Sequence, residues 1–305
     1  MAPMKRFFLN LFGLILVRTL VCCDEDLDRA LNFISNMGQS MSITWATDLH
    51  FDMADTNAYK AFKENVIAKQ PSVLLLAGDI ANSTLINDYL SMLSRDFSVP
   101  IYFVLGNHDY YLGSIRKVRD AVQALAKELP RCHYLSRESV VRLTPQTALI
   151  GHDGWADGKA GDYEHSEVLL RDYFEIQEFQ GLSKTNRLQL LHALGQEAAD
   201  KIRIDLEKAL EEYSNVILLT HVPPFVETCL YQGEPSRPEW SPHFVSKAVG
   251  DVILEIMSKH PQQNLAVLCG HSHHQAHVSI LPNLTVIVGG AEYGTPMPQA
   301  PFLLQ

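Results

Sequence analysis

The chain has 305 residues, 47% hydrophobic and 20% charged, a balance expected of a soluble globular protein. Its formal net charge of −10 argues against loose electrostatic binding to nucleic acid or an anionic membrane, although it leaves room for a local cation site. Thirteen histidines stand out, because imidazole is the commonest transition-metal ligand. Of the five cysteines, Cys132, Cys229 and Cys269 show no C-x-x-C spacing and read as buried thiols of a reducing compartment.

Residues 1–40 form an extension. Lys5-Arg6 followed by the apolar run Phe7 to Val17 has the order of a signal-peptide n-region and h-region, but no A-x-A site follows and the run is short for a membrane span. Two readings stand side by side: an export or anchor segment in residues 1–23, or a dispensable extension of a cytoplasmic protein. Residues 24 to 36 read as a short acidic helix. Ser42 to Thr47 is the first strand expected, and it runs into Asp48-Leu49-His50. A helix over 57–69 places Ala58, Phe62 and Val66 on one face, and Gln70-Pro71 ends it. Val73 to Ala77 is a strand closed by Gly78-Asp79. A helix over 84–95 precedes the strand Ile101 to Leu105 and its turn Gly106-Asn107-His108-Asp109. Ile115, Val118, Val122, Leu125 and Leu129 mark another amphipathic helix. This βαβαβα series predicts a mainly parallel sheet.

Beyond Pro130 the pattern changes. Strands are expected at 140–143 and 147–151, then a turn-rich segment from Asp153 to Gly158, whose spacing does not fit a calcium loop. A long helix over 186–213 leads to the strand Val216 to Thr220, which ends in His221. A loop over 230–242 carries Trp240, and a helix is expected over 242–260. The strand Leu265 to Cys269 ends in Gly270-His271-Ser272-His273-His274, and two strands near 275–281 and 284–289 follow. No repeat or linker is visible, so residues 41–302 read as one catalytic domain.

Five strands thus end in candidate ligands: Asp48 and His50, Asp79, Asn107 and His108, His221, and His271 with His273. Sites in open α/β sheets gather beyond the carboxyl ends of strands, so groups distant in sequence would meet. On an extended segment, Asp48 and His50 point to one side, as do His271 and His273. Carboxylate, imidazole and carboxamide together suit Zn, Fe or Mn better than Ca or Mg.

In order and in kind these elements resemble the calcineurin-like metallophosphoesterase family, whose signature runs D-x-H, G-D-x-x-D, G-N-H-D/E, a lone His, and G-H-x-H. The resemblance covers about 260 residues and implies a four-layer α/β/β/α sandwich of two mixed sheets. It also implies two divalent or trivalent transition-metal ions (Mn, Fe or Zn). One would be held by Asp48, His50, Asp79 and His273; the other by Asp79, Asn107, His221 and His271. Two cations about 3.5–4 Å apart clamp a phosphoryl group and supply a bridging hydroxide as nucleophile. His108 is implied as the acid that stabilises charge and protonates the leaving oxygen, with Asp109 bracing its loop.

One position departs from the signature. Asn82 stands where the family often has a second Asp that orients the catalytic His, so its amide oxygen is expected to accept from His108 without adding charge. Tyr110, Trp155 and Trp240 are candidate pocket residues, because loops at strand ends carry specificity. The function implied is hydrolysis of a small phosphorylated substrate. Monoesters, cyclic nucleotides and other diesters all remain open, and a metal-binding scaffold without turnover is the alternative from another class. There is no strong nucleic-acid signal and no clear membrane span, and the oligomeric state is open.

Overall fold

A computed structural model describes residues 40–305. The signal-like stretch and the acidic helix expected before residue 40 lie outside the described residues. Two β-sheets pack face to face with helices outside both (FIVE strands in one, six in the other). The first sheet holds β1 (Met41–Ala46), β2 (Val73–Ala77), β3 (Ile101–Val104), β4 (Cys132–Tyr134) and β13 (Phe302–Leu304). Its order is β13-β1-β2-β3-β4, parallel except for β13. The second sheet holds β5 (Val141–Arg142), β6 (Thr147–His152), β7 (Asn215–Thr220), β10 (Asn264–Cys269), β11 (Ala276–Leu281) and β12 (Leu284–Val288). Its order is β11-β12-β10-β7-β6-β5, with antiparallel strands at both edges. A small hairpin of β8 (Leu230–Tyr231) and β9 (Glu234–Pro235) stands apart.

Strand alternation builds the layers. Val73, Leu75 and Ala77 of β2 face Leu149, Ile217, Leu219 and Leu268 of the opposite sheet, while Leu74 and Leu76 face the outer helices. Both faces of such strands are buried, so they read as unbroken apolar runs. Outside the first sheet lie α1 (Thr56–Ala68), α2 (Ile86–Asp96) and α3 (Ile115–Glu128), which contribute Phe62, Leu90 and Val122 among others. Outside the second lie α4 (Lys184–Glu212) and α5 (Lys247–Lys259), through Ile202, Leu206 and Ile253. Asp55, Ser114 and Ser183 cap α1, α3 and α4 by accepting a backbone N–H three residues on.

Most expected elements form within a few residues of their predicted ends. Two edge strands, β4 and β13, are absent from the sequence reading because three residues show no period. β13 also carries the paired domain to Leu304, opposite Met41, past the expected limit at residue 302. The helix expected over 242–260 is broken: a single turn (Ser241–Phe244) is followed by extended Val245, and α5 starts only at Lys247. At the break, Ser246 N–H donates to the Pro223 carbonyl (2.9 Å), and the Asp157 carboxylate accepts from Ala248 N–H (2.6 Å) at the new helix start. The turn-rich segment 153–158 therefore caps a distant helix as well as turning the chain.

Asp153 does more. It is 1% exposed, and its carboxylate accepts from Leu105 N–H (2.8 Å), Ser136 Oγ (2.6 Å), Tyr110 Oη (2.7 Å), Tyr134 Oη (2.6 Å) and Arg119 Nε (3.0 Å). Its carbonyl accepts from His221 N–H (3.1 Å). The ends of β3, β4, β6 and β7 are thereby tied to one residue, and Arg119 carries the tie on to Glu197 of α4 (2.9 Å). Burial alone would raise the Asp153 pKa, but the Arg119 guanidinium, His152 and the hydroxyl donors outweigh it and hold the carboxyl below its ordinary range. A depressed carboxylate contributes stability that is present above the ordinary range and lost as pH falls through the folded value. Asp153→Ala leaves the hydroxyls of Tyr110 and Tyr134 without their acceptor and removes the buried carboxylate facing Arg119, which keeps Glu197. Urea unfolding at pH 7 is expected to show a loss of about 3–5 kcal/mol.

Candidate metal centre

All five ligand-bearing turns converge at the carboxyl ends of β1, β2, β3, β7 and β10. The convergence has a backbone cause that differs from the expected one. Asp48, His50, Asp79, His271 and His273 all have φ between 41° and 69°, so neither two-apart pair lies on extended chain. Left-handed backbone is uncommon for residues with a Cβ, and it clusters where the surroundings over-determine it. Here the chain leaves each strand and curls at once, so that side chains from separate turns face inward. Gly106 and Gly270 make room for this. A Cβ on Gly106 would collide with the Asp79 carboxylate, and one on Gly270 with Thr47 and the Asp48 carboxylate.

Donor atoms of Asp48, His50, Asp79 and His273 lie within 4.8 Å of one another. His50 Nε2 and His273 Nε2 face each other at 3.2 Å, and His273 Nε2 is 3.3 Å from Asp48 Oδ1. A second group adjoins the first through the same carboxylate. His221 Nε2 lies 3.4 Å from Asp79 Oδ2 and 3.2 Å from Asn107 Oδ1, and His271 Nδ1 lies 3.0 Å from that amide oxygen. Asp48, His50, Asp79, Asn107, His221 and His271 are buried, and His273 is half-buried.

Outer partners select which atom several of the candidate ligands present. His221 Nδ1 is 2.8 Å from the Ala77 carbonyl, which leaves Nε2 as the atom directed at Asp79. His271 Nε2 is 3.3 Å from the His243 carbonyl, which leaves Nδ1 toward the centre. The break before α5 places that carbonyl. His243 is itself fixed by Tyr173 Oη (2.5 Å) and Ser166 Oγ (3.0 Å). Asp48 accepts from Thr47 Oγ1 (2.6 Å) and His271 N–H (3.0 Å). Asp79 Oδ1 accepts from His108 N–H (2.8 Å), which leaves Oδ2 between the two histidine groups.

Electrostatics fit a cation. Burial lowers the pKa of His50 to about 4 and of His271 to about 3, against the pull of the carboxylates, so both imidazoles keep lone pairs at neutral pH. His221 goes the other way: burial would lower it, but Asp79 outweighs burial and raises it to about 10. His273 is likewise raised, with Asp48 overcoming burial. Two buried carboxylates thus draw protons onto neighbouring imidazoles, and a cation offers the same compensation.

The sequence expectations change for Asn82, Tyr110, Trp155 and Trp240, whereas Asp109 braces its loop as expected. Asn82 does not orient His108: its Oδ1 accepts from Thr84 N–H (3.1 Å) and Thr84 Oγ1 (2.6 Å), and its Nδ2 donates to Asp52 (3.1 Å). It caps the start of its own loop, as a short amide after Gly-Asp readily does. Asp109, fully buried, accepts from Ile80 N–H (2.8 Å), Ala81 N–H (2.9 Å) and Gly106 N–H (2.7 Å). It binds the Asp79 turn to the Asn107 turn, a bracing role and not a chemical one. Tyr110 has no exposed surface and bonds Asp153 and Arg119, so it belongs to the core. Trp155 lines a small cavity of about 10 Å³ beside Asn107 and His271, room for roughly one water. Trp240 sits one ring farther out, 6.1 Å from Phe244, which lies 4.8 Å from His271.

Two residues escaped the sequence reading. Asp172, buried, accepts from Asn107 Nδ2 (2.9 Å) and Tyr111 Oη (2.7 Å). The first bond fixes which end of the Asn107 amide faces the histidines. The second holds Tyr111, whose ring stacks on His108 at 4.1 Å. Tyr293, half-exposed, lies over His50 (4.6 Å) and His273 (4.8 Å). No motif surrounds either residue. Asp172 shows its importance only through its burial and its partners.

A model of the calcineurin-like phosphoesterase family matches residues 41–275, which contain all of these candidate ligands. The chain belongs to the calcineurin-like phosphoesterase family. It is accordingly a metal-dependent phosphoester hydrolase. Among curated proteins no significant match is found. Among solved structures it is similar to a phosphopantetheinyl hydrolase from Mycobacterium tuberculosis, at 17% identity and TM-score 0.59, over 86% of this chain and 97% of that one. It is also similar to a dimetal phosphatase from Danio rerio, at 14% identity and TM-score 0.50, over 82% of this chain and 87% of that one. At these identities the likeness is one of fold. Among the described residues no helix is long and apolar enough to cross a membrane.

Asp172→Leu frees the Asn107 amide to rotate. Calorimetric titration of the metal-free protein is expected to show roughly 10- to 100-fold weaker metal binding.

Proposed function

We propose that this phosphoesterase holds two transition-metal ions and cleaves a small phosphate ester with them. Asp48, His50, Asp79 and His273 hold one ion; Asp79, Asn107, His221 and His271 hold the other. The observation that carries this reading is the position of Asp79 Oδ2, 3.7 Å from His50 Nε2 on one side and 3.4 Å from His221 Nε2 on the other. One carboxylate oxygen thus serves two complete donor sets. The mixture of imidazole, carboxylate and carboxamide favours Zn, Fe or Mn. When bound, such a pair of ions polarises the phosphoryl oxygens and makes hydroxide available at neutral pH.

The chain's own contribution is placement. His108 is the residue of the centre that is free for substrate. Its ring packs edge-on against His50 (4.5 Å) and flat on Tyr111 (4.1 Å), and its ring nitrogens make no hydrogen bond among the described residues. It stabilises charge on the phosphoryl oxygens and protonates the leaving oxygen. Asp172, through Tyr111, keeps that ring from turning away. No acidic partner holds His108 from the Asn82 side, so Asp172 is the carboxylate that stands behind it, one ring removed. Burial of the ligands keeps bulk water from competing for the ions, and the half-exposed rings of His108, His273 and Tyr293 mark the open side.

Two substitutions separate the roles. His108→Ala is expected to keep the wild-type metal content, measured by elemental analysis, while kcat falls about 10²–10⁴-fold. His221→Ala is expected to lose one of two ions and, with it, several kcal/mol of transition-state stabilisation, about 10²–10³-fold in turnover of p-nitrophenyl phosphate and its bis ester. Full activity of His221→Ala at wild-type metal content would overturn the two-ion reading.

A further inference from the structure

We propose that Tyr293 is a substrate-contacting residue that selects phosphoesters whose organic group is planar and aromatic or heteroaromatic. The inference rests on the assignment of His108 as the group that serves the leaving oxygen. If His108 reaches that oxygen, the organic group attached to it lies beside the His108 ring. One face of that ring is covered by Tyr111, which is 6% exposed and held from behind by Asp172. The ring that remains open at this edge is Tyr293, 6.2 Å from His108, 4.6 Å from His50 and 4.8 Å from His273, with 52% of its surface exposed.

The ring is presented by an ordered turn. Ala291 N–H donates to the His273 carbonyl (3.1 Å), and Thr295 N–H to the Glu292 carbonyl (3.1 Å). Gln299, 8% exposed, closes the base of the turn: its Nε2 donates to the Gly290 carbonyl (2.8 Å) and its Oε1 accepts from Gly290 N–H (3.3 Å). The loop is thus registered directly on a metal-ligand segment, and a half-exposed tyrosine stands where the substrate must enter. Arg171, 5.6 Å from the Tyr111 ring and paired with Glu175 (3.0 Å), is the charged group near this edge. A half-exposed tyrosine ring packed at a tilt against two imidazoles can bind by stacking, which favours flat groups over puckered ones of equal size.

The test uses 2-phenylethyl and 2-cyclohexylethyl phosphates, or their methyl diesters if only diesters are turned over. The two leaving alkoxides are similar in basicity and differ in planarity. Wild type is expected to prefer the phenyl compound in kcat/KM by roughly fivefold to a hundredfold. Tyr293→Phe should retain that ratio and Tyr293→Leu should bring it close to one. The ratio is unaffected by a uniform loss of activity, so general damage does not imitate the result. The corresponding phosphonates, which are not hydrolysed, should show the same ranking of dissociation constants by calorimetry. A wild-type ratio near one, or an unchanged ratio in Tyr293→Leu, overturns the proposal while leaving the phosphoesterase intact. Absence of turnover on every ester, with phosphonate binding still favouring the phenyl group, would instead count against the two-ion mechanism and support Tyr293 as the contact.

Discussion

The buried carboxylate of Asp153 is the constraint on which the site depends. It sits where the two sheets meet, at the end of β6, and gathers donors from the ends of β3 and β4 and from α3. Its carbonyl receives His221 N–H at the end of β7. A charge in such a place is costly unless its lone pairs are satisfied, and five donors satisfy them. The consequence is geometric. The turn bearing Asn107 and the turn bearing His221 belong to different sheets, yet both are fixed to one residue. Without a shared anchor, packed apolar faces would leave the sheets free to shift by fractions of an ångström, and that is enough to spoil a ligand set.

Nearer the candidate metal centre, similar cross-links recur on a smaller scale. Asp109 joins the turns after β2 and β3 through three backbone N–H groups. Asp48 receives the backbone of His271, so the first and last ligand turns are joined as well. These bonds hold five ligand residues in left-handed backbone that their side chains would not choose alone. The strain is local, and the buried core of the two sheets stabilises it. His221 and His271 show the same division at the level of single atoms, because backbone carbonyls of Ala77 and His243 decide which nitrogen faces the centre.

The sequence was most legible where the pattern is long or the residue types are few. Apolar runs and helical faces gave the parallel core, and the ordered set of Asp, Asn and His at strand ends marked the turns that converge at the candidate centre. It was least legible where a side chain acts on something remote. Tyr110 stands in the most suggestive turn of the chain, yet its hydroxyl points down to Asp153. Asn82 occupies a position where an acid was expected beside His108, but its amide is engaged with Thr84 and Asp52. The break before α5 was hidden because Pro242 to His260 keeps an apolar face throughout; what stops the helix is the bond from Ser246 to Pro223 across the structure.

By itself the sequence determined that there are two kinds of layer, where the strands end, and which side chains can bind a metal. These are local properties: periodicity, turn chemistry and donor type are written within a few residues of each other. Tertiary structure alone decided that Asp172 steers Asn107 and backs His108 through Tyr111, that Asp153 joins the sheets, and that Tyr293 stands at the mouth. Each of these depends on a contact between segments far apart in the chain, and hydrogen-bond direction and ring stacking leave no mark on the spacing of residues along it.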